Sequence, residues 1–398
     1  MLDEIKNKVC SIKERMVDFR RKLHRNPELS GQEEKTAAFV EGVLKDNGVL
    51  DVRKGVGGWG VTGVVRGGND GPAIALRADM DALPIGEKTG KEYSSAVPGV
   101  MHACGHDVHT AVLLGTAITL AGLRERLSGN VKFIFQPSEE TGNGGAKKMI
   151  EDGALDNPCP SAIVALHCYP DYEAGTAGHK SGVITASSDR FTIGIKGKSG
   201  HAAKPHQTVD AILAASLAVN AIHHIVSRRI DPTENAVISI GQINGGTAPN
   251  IISEYVEIKG TVRAFEESVR SKMAPLIEQT VKGIAESCGA SYDFHYEAGC
   301  PSVVNDGVID GLIRRCSIDV LGEKNTFEIT KPQMGAEDFS YFTRKIPGAL
   351  FRLGTGNAKK GINHPLHSSR FDVDEEALAV GATLMSWIAV KYLSENTP

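Results

Sequence analysis

Apolar and polar residues alternate along the chain in two rhythms. Residues 2–25 and 32–46 repeat at helical spacing and predict two amphipathic helices, closed by Asn26-Pro27 and by Gly48. Short apolar runs bounded by glycine follow at 61–65 and 73–78 and predict buried strands. Beyond them the pattern predicts a long helix over 108–123, a strand at 131–135, a short helix at 146–151 and a strand at 162–166. Strands alternating with helices predict a mixed-sheet α/β domain with helices on its faces.

The rhythm then changes. Strands are predicted at 191–195, 237–243, 251–262 and 292–296, with helices at 209–226 and 269–287. That β-α-β-β-α-β order is the order of a ferredoxin-like α+β sandwich. It predicts an inserted domain at 186–298, with the surrounding α/β domain made of 1–185 and 299–398. The α/β pattern resumes in the last part, with helices at 307–321 and 374–393 and a strand at 349–353. There is no internal repeat, low-complexity stretch or long linker.

Composition narrows the class. With 398 residues, 41% apolar and 23% charged, the chain has the balance of a soluble globular protein of about two domains. A net charge of −4 provides no basic face for nucleic acid and no polybasic segment for a membrane surface. The first residues lack the apolar core of a signal peptide, and the longest apolar segment, near 111–123, is shorter than a membrane span. Seven scattered cysteines without a CxxC pair predict no disulfide framework and a reducing, cytoplasmic setting.

The chemistry lies at the ends of the predicted strands, where open α/β sheets bind ligands. Residues 73–78 lead into Asp79-Met80-Asp81, 131–135 into Gln136-Pro137-Ser138-Glu139-Glu140, and 163–166 into His167. Met101-His102-Ala103-Cys104-Gly105-His106 precedes the long helix, and His364-Pro365-Leu366-His367 lies near the C-terminus. Taken singly, each piece reads as ordinary: a rim histidine, a solvated pair of carboxylates, a buried cysteine beside a capping histidine. Together they deliver Cys, His, Asp and Glu to one rim, which is the composition of a metal site. Amide hydrolysis needs a hydroxide at neutral pH and a Lewis acid for the carbonyl, and two divalent metals roughly 3.5–4 Å apart provide both. It also needs a carboxylate that is not a ligand to move the proton. Adjacent glutamates can divide those roles.

Here the chain resembles a known family. RADMDALPI, MHACGHDVHTA, QPSEETGNGGAKKMI, VALHC, SGHAAKPH, GGTAPN, MGAEDFSYF and LHSSRF occur in the order found in the metallo-aminoacylase and carboxypeptidase superfamily. They are most similar to the branch of hippurate hydrolases, auxin-amino-acid conjugate hydrolases and N-acetyl-diaminopimelate deacetylases. The resemblance implies a hydrolase of N-acyl-L-amino acids, with the inserted domain as lid and homodimer contact. It implies Cys104, His106, Glu140, His167 and His367 as ligands of two divalent ions, with Cys104 bridging. Zinc or manganese is expected, with cobalt or nickel as alternatives. Glu139 becomes the general base and acid. Asp79 and Asp81 stand where many relatives have a His-x-Asp pair; this chain lacks that His, so the ligand role passes to His106 and the two aspartates take places behind the ligands, one or the other orienting a ligand. From the inserted domain, His201 is implied as the oxyanion donor, reaching the partner's site in dimeric relatives. Asn250 and Arg263 are implied as the pair that binds the substrate carboxylate. Gly335 is expected to shape the substrate pocket by allowing close backbone approach. Without the resemblance, His201 reads as a loop residue capping the following helix and Arg263 as an exposed strand-end charge. His24, His109, His179, His206, His223, His224 and His295 carry weaker claims.

Three other readings compete. A dipeptidase or carboxypeptidase would use the same site. A thiol hydrolase would use Cys104 as nucleophile, leaving Glu139, Glu140, His167 and His367 without roles. A non-catalytic binding protein would have no use for an intact Glu139 beside five ligand positions.

Overall fold

The structure, a computed structural model, describes every residue except Asn143 and Pro398. The chain forms two compact units: Met1–Ile184 with Val303–Lys331 and Asp338–Pro398, and Thr185–Ser302 with Pro332–Glu337.

The first unit opens with α1 (Leu2–Ser11), α2 (Lys13–Arg25) and α3 (Glu34–Asp46), followed by β1 (Leu50–Val56), β2 (Gly60–Arg66) and β3 (Asn69–Asp79). Then come α4 (His106–Ala121), β4 (Ser128–Gln136), α5 (Gly145–Glu151), β5 (Ala162–Glu173), β6 (Ala177–His179) and β7 (Gly182–Val183). The second unit contains β8 (Asp189–Lys196), β9 (Gly200–His201), α6 (Ala211–Arg229), β10 (Ala236–Gly245), β11 (Ile251–Ile252), β12 (Tyr255–Ala264), α7 (Glu267–Ser287) and β13 (Ser291–Glu297). The chain returns to the first unit with β14 (Val304–Asn305), α8 (Gly307–Leu321), β15 (Thr326–Glu328), α9 (Ser340–Thr343), β16 (Gly348–Gly356) and α10 (Glu376–Asn396).

Eight strands of the first unit form one mixed sheet in the order β1-β2-β4-β3-β5-β16-β6-β15. Its four central strands, β4, β3, β5 and β16, run parallel. Residues alternate faces along each strand. On β5, Val164, Leu166 and Cys168 enter one apolar cluster with α4 and α10, while Ile163 and Ala165 enter another with Met149 and Phe342. Helices therefore cover both faces, and the parallel strands are buried on both sides as such strands require.

In the second unit β10-β12-β8-β13 form an antiparallel sheet, and α6 and α7 bury Ile222, Ile225, Ile277 and Val281 in its core. This is the ferredoxin-like order read from the sequence. The segment Pro332–Glu337 joins this unit because Ala186 N–H bonds to the carbonyls of Gln333 and Gly335.

Several elements differ from the sequence pattern. The first expected helix breaks at Ile12 without a Gly or Pro; both pieces bury residues, Ile5 and Val9 before it and Met16 and Phe19 after it, in the same core. The expected strand 251–262 splits at Ser253, whose side chain bonds locally to the Tyr255 backbone. Such local bonding competes with a ladder. Two helices, α6 and α10, are long and apolar enough to cross a bilayer by length and composition. In α10 most of that surface is buried in the core, and α6 buries one face against its own sheet.

A buried arginine ties α2 to the start of α4. Arg20, fully buried, reaches Asp107 at 2.8 Å, Asp372 at 3.1 Å and Glu375 at 3.3 Å. Burial works against its charge, but these carboxylates outweigh that and raise its pKa. Burial likewise opposes ionisation of Asp107, yet Arg20 and His24 hold its carboxyl far below the ordinary range. Replacing Arg20 by Met should therefore lower stability by about 3–5 kcal/mol, because it leaves the buried Asp107 carboxylate with His24 alone to balance it. Urea unfolding measures this. The native contribution of Asp107 is present above its unfolded pKa of roughly 3.9 and is lost as pH falls, so the gap between the two proteins should narrow in acid.

Candidate metal centre

The parallel strands end together. Asp79, the last residue of β3, pairs with Gln136, the last of β4. The chain then delivers Asp81 and the Pro137-Ser138-Glu139-Glu140 segment to one edge. His167 lies within β5 rather than after it, because β3 pairs with β5 only as far as Ala165. Past that point β5 pairs on one side with β16 alone, leaving His167 beside the end of β3.

Gly105 makes the turn into α4. Its φ is +83°, and a Cβ there would lie 2.1 Å from Cys168 Sγ, so only glycine fits. This turn sets Cys104 and His106 on either side of one bend. Two non-glycine residues nearby also hold left-handed backbone, Ser138 at φ +58° and His367 at φ +63°. Each costs on the order of 1 kcal/mol and persists only where surrounding bonds enforce it. For Ser138 the bonds come from Glu33, whose buried Oε1 accepts the Ser138 N–H at 2.7 Å and its hydroxyl at 3.2 Å. For His367, its N–H bonds to Ala103 O at 2.8 Å.

The imidazoles are oriented from behind. His106 Nδ1 donates to Asp81 Oδ1 at 3.1 Å. Its Nε2 is fully buried and has no hydrogen-bond partner among the described residues. Around that atom stand Asp79 Oδ2 at 3.7 Å, Glu140 Oε1 at 3.9 Å and Glu139 Oε2 at 4.0 Å. His167 Nδ1 donates to Cys168 O at 2.8 Å, which leaves Nε2 as the lone-pair nitrogen, 3.6 Å from Cys104 Sγ. Glu140 Oε1 lies 3.4 Å from His367 Nε2 without hydrogen-bond alignment. His109 is different. Its Nε2 accepts the Cys168 N–H at 2.8 Å and its Nδ1 donates to Asp79 at 2.5 Å, so both nitrogens are used within the protein. His109 is thereby a strut between Asp79 and β5.

Asp81 also accepts from Ser30 at 2.6 Å and from the Glu140 N–H at 3.0 Å. Arg77, buried in β3, binds Gln136, Asp79 and Asp338 and locks the ends of β3 and β4 together. The sequence reading had not singled out Glu33, Ser30 or Arg77. Their roles depend on contacts distant in sequence, such as Glu33 with Ser138.

The donors fit a pair of cations. Cys104, His106 and His167 each place a ligand atom within 4.8 Å of the others, and so do Cys104, Glu140 and His367. These two triads share the thiol and together use the five residues expected as ligands. Donor atoms 3.4–3.9 Å apart, with His106 Nε2 and Glu140 Oε1 buried and unbonded, match the spacing across an ion bound at roughly 2.0–2.3 Å. Burial, then Glu140 and Glu139, raise the Cys104 thiol well above its ordinary pKa. Burial opposes the charge on His106, but Asp79 and Asp81 outweigh it and raise its pKa to about 10. Burial lowers that of His167.

Residues 75–390 match the profile of peptidase family M20/M25/M40. The chain belongs to that family. As an M20 member it is a hydrolase of the amidohydrolase and peptidase kind. It is 41% identical over 395 residues to thermostable carboxypeptidase 1 of Saccharolobus solfataricus, covering 98% of this chain and 99% of that one. It is 45% identical over 303 residues to an N-acyl-L-amino acid amidohydrolase of Geobacillus stearothermophilus, covering 76% of this chain and 81% of that one. A crystal structure from Bacillus subtilis described as a dinuclear metal binding peptidase from the M20 family aligns with TM-score 0.83 at 36% identity, over 96% of this chain and 99% of that one. The α/β unit with its ferredoxin-like companion is the M20 architecture.

The remaining expected residues of this M20 chain lie in the second unit. His201 and Asn250 fall in one small patch: His201 pairs with Ile251 across β9 and β11, and Asn250 O accepts the Ala202 N–H at 3.1 Å. His201 Nδ1 accepts the Ala203 N–H at 3.0 Å, which leaves Nε2 to point outward. It does not cap α6; Asp210 does, accepting from Ile212 and Leu213 N–H. Arg263 is half-buried on β12. Gly335 has no left-handed φ, and among the described residues no atom beyond its chain neighbours lies within 4 Å of a Cβ built there, so none of them requires glycine.

Ligation needs a thiolate at Cys104 and a neutral ring at His106, whereas the metal-free protein holds a proton on each at neutral pH. Metal uptake should therefore release about two protons, and affinity should rise by roughly two orders of magnitude per pH unit near pH 7. Calorimetry in buffers of different ionisation enthalpy reads the proton count; uptake with no proton release would contradict the ligand set.

Proposed function

We propose that this M20 hydrolase cleaves the amide bond of N-acyl-L-amino acids to a carboxylic acid and a free amino acid. The observation that carries the reading is the shared thiol: two donor triads meet at Cys104 and use all five proposed ligands, and Glu139, which groups with His106 and Glu140, stands next to them within reach of a bound water. Cys104, His106, Glu140, His167 and His367 would hold two divalent ions per subunit, zinc or manganese, with cobalt or nickel as alternatives. When bound, the metals supply Lewis acidity for the scissile carbonyl and lower the pKa of water.

The chain's own groups do the rest. Glu139 takes the proton of the attacking water and hands it to the leaving amine. Glu33, through Ser138, keeps Glu139 turned toward the site. Asp81 and Asp79 hold His106 and His109. His201 donates to the oxyanion, Asn250 and Arg263 grip the substrate carboxylate, and Gly335 lines the pocket. The second unit also mediates a homodimer. The support is an apolar surface on α6 and on β10, which stands at the edge of its sheet: Ile212, Leu213, Leu217 and Ile243 are each 42–54% exposed. Open edge strands and apolar patches of this kind invite pairing. Seven unpaired cysteines fit a reducing, cytoplasmic setting.

A cysteine nucleophile fits poorly. Such a thiol is activated by a lowered pKa, whereas burial and two glutamates raise that of Cys104. A carboxypeptidase or dipeptidase is the second reading, favoured by the 41% identical relative that bears the carboxypeptidase name.

Metal-free protein given zinc, manganese or cobalt should hydrolyse N-acetyl or N-benzoyl amino acids. Cleavage of free dipeptides but not of their N-acyl counterparts would overturn the reading in favour of the second. Glu139→Gln should lower kcat by about 10²–10⁴-fold while metal content stays unchanged. Undiminished turnover in that variant would remove Glu139 from the mechanism.

A further inference from the structure

Buried arginines in this chain come with carboxylates. Arg20 touches Asp107, Asp372 and Glu375; Arg77 touches Asp79 and Asp338; Arg270 touches Asp189 and Glu267. Arg352 breaks the pattern. It is only 3% exposed, yet among the described residues no carboxylate lies in ion-pair range of it. Its guanidinium carbon sits 4.4 Å from the centroid of the Tyr169 ring, and Nη1 reaches the Tyr172 hydroxyl only at 3.4 Å. Tyr169 and Tyr172 stack on each other at 5.3 Å.

The position of Arg352 gives this a meaning. Arg352 is the register partner of His167 across the parallel β5–β16 pair. Alternation puts Ile163, Ala165 and Leu350 on one face of these strands and Leu166, Cys168, Phe351 and Leu353 on the other. His167, Tyr169 and Arg352 therefore share the first face. The His167 and Tyr169 rings are 6.4 Å apart, and the guanidinium carbon lies 4.4 Å from the Tyr169 ring. An acyl amino acid two or three residues long spans roughly 7–10 Å. An aromatic ring against a guanidinium leaves its N–H edge available, and that edge binds carboxylates with two parallel hydrogen bonds. Burying a charge without a counter-ion is costly, so a ligand that brings the anion binds with unusual selectivity.

We propose that Arg352, clamped by Tyr169 and Tyr172, is a carboxylate subsite beside the metal centre, and that this hydrolase selects N-acyl amino acids carrying a second carboxylate. The proposal rests on the N-acyl amino acid reading above. The second carboxylate belongs to the acyl group or to the amino-acid side chain, and two substrate pairs separate these sources. N-succinyl-L-alanine is compared with N-butyryl-L-alanine, and N-acetyl-L-glutamate with N-acetyl-L-glutamine, by kcat/KM on the metal-loaded enzyme. The acid should win in one pair by roughly 10- to 100-fold, the worth of a charged hydrogen-bonded contact. In Arg352→Gln that ratio should fall to near one. Arg352→Lys, which keeps the charge in the fold, should retain only part of it. No preference in either pair, or a preference that survives Arg352→Gln, overturns the proposal. If no N-acyl amino acid is cleaved at all, the hydrolysis reading fails separately. Calorimetric binding of N-succinylglycine then decides the subsite: at least tenfold weaker binding in Arg352→Gln supports it, and equal binding refutes it.

Discussion

Electron-pair donors crowd around Cys104 more closely than they would choose in water. Burial, then Glu140 and Glu139, push its thiol toward the protonated form, His106 is held charged by two aspartates against its burial, and His167 is pushed toward neutrality by burial. His106 Nε2 and Glu140 Oε1 are buried with no hydrogen-bond partner. Buried polar atoms in native proteins are almost always bonded, so each such orphan needs an explanation. One kind of species relieves all of them together: a small multivalent cation. The surrounding structure follows from the need to hold these donors in place without it.

That holding is distributed and mostly buried. Arg77 fastens the ends of β3 and β4, His109 braces Asp79 against β5, and Asp81 orients His106 while catching the Glu140 backbone. The glycine turn at Gly105 and the left-handed residues Ser138 and His367 mark where the chain bends away from its easy conformations. Strain of this sort gathers where a few side chains must converge, and here it frames the donor set. The selective use of substrate would then be set one strand over, at Arg352, by the same logic of a buried charge awaiting its counterpart.

Much of this was legible in the sequence, for definite reasons. The core strands read clearly because burial on both faces makes them continuous apolar runs, as at 162–166. The ferredoxin-like order was readable because its helices alternate faces at a clear period. The candidate donors were readable because strand ends gather ligands in open α/β sheets. What escaped depended on distant contacts. β1 is mostly exposed and lacks an apolar signature. His167 looked like a strand terminus because nothing local says that β3 stops pairing there. Pro332–Glu337 gave no sign of belonging with the second unit. Glu33 acts through Ser138, over a hundred residues away, and Arg352 is a single charge in an apolar strand whose significance appears only in register with His167.

The central claim is that one thiolate bridges two ions. Anomalous diffraction from crystals of active, metal-loaded protein tests it directly. The account predicts two metal peaks per chain, both within bonding distance of Cys104 Sγ, at about 2.3 Å if the metal is zinc. A fully active crystal with no peak there, or with metal bound only away from Cys104, would contradict it.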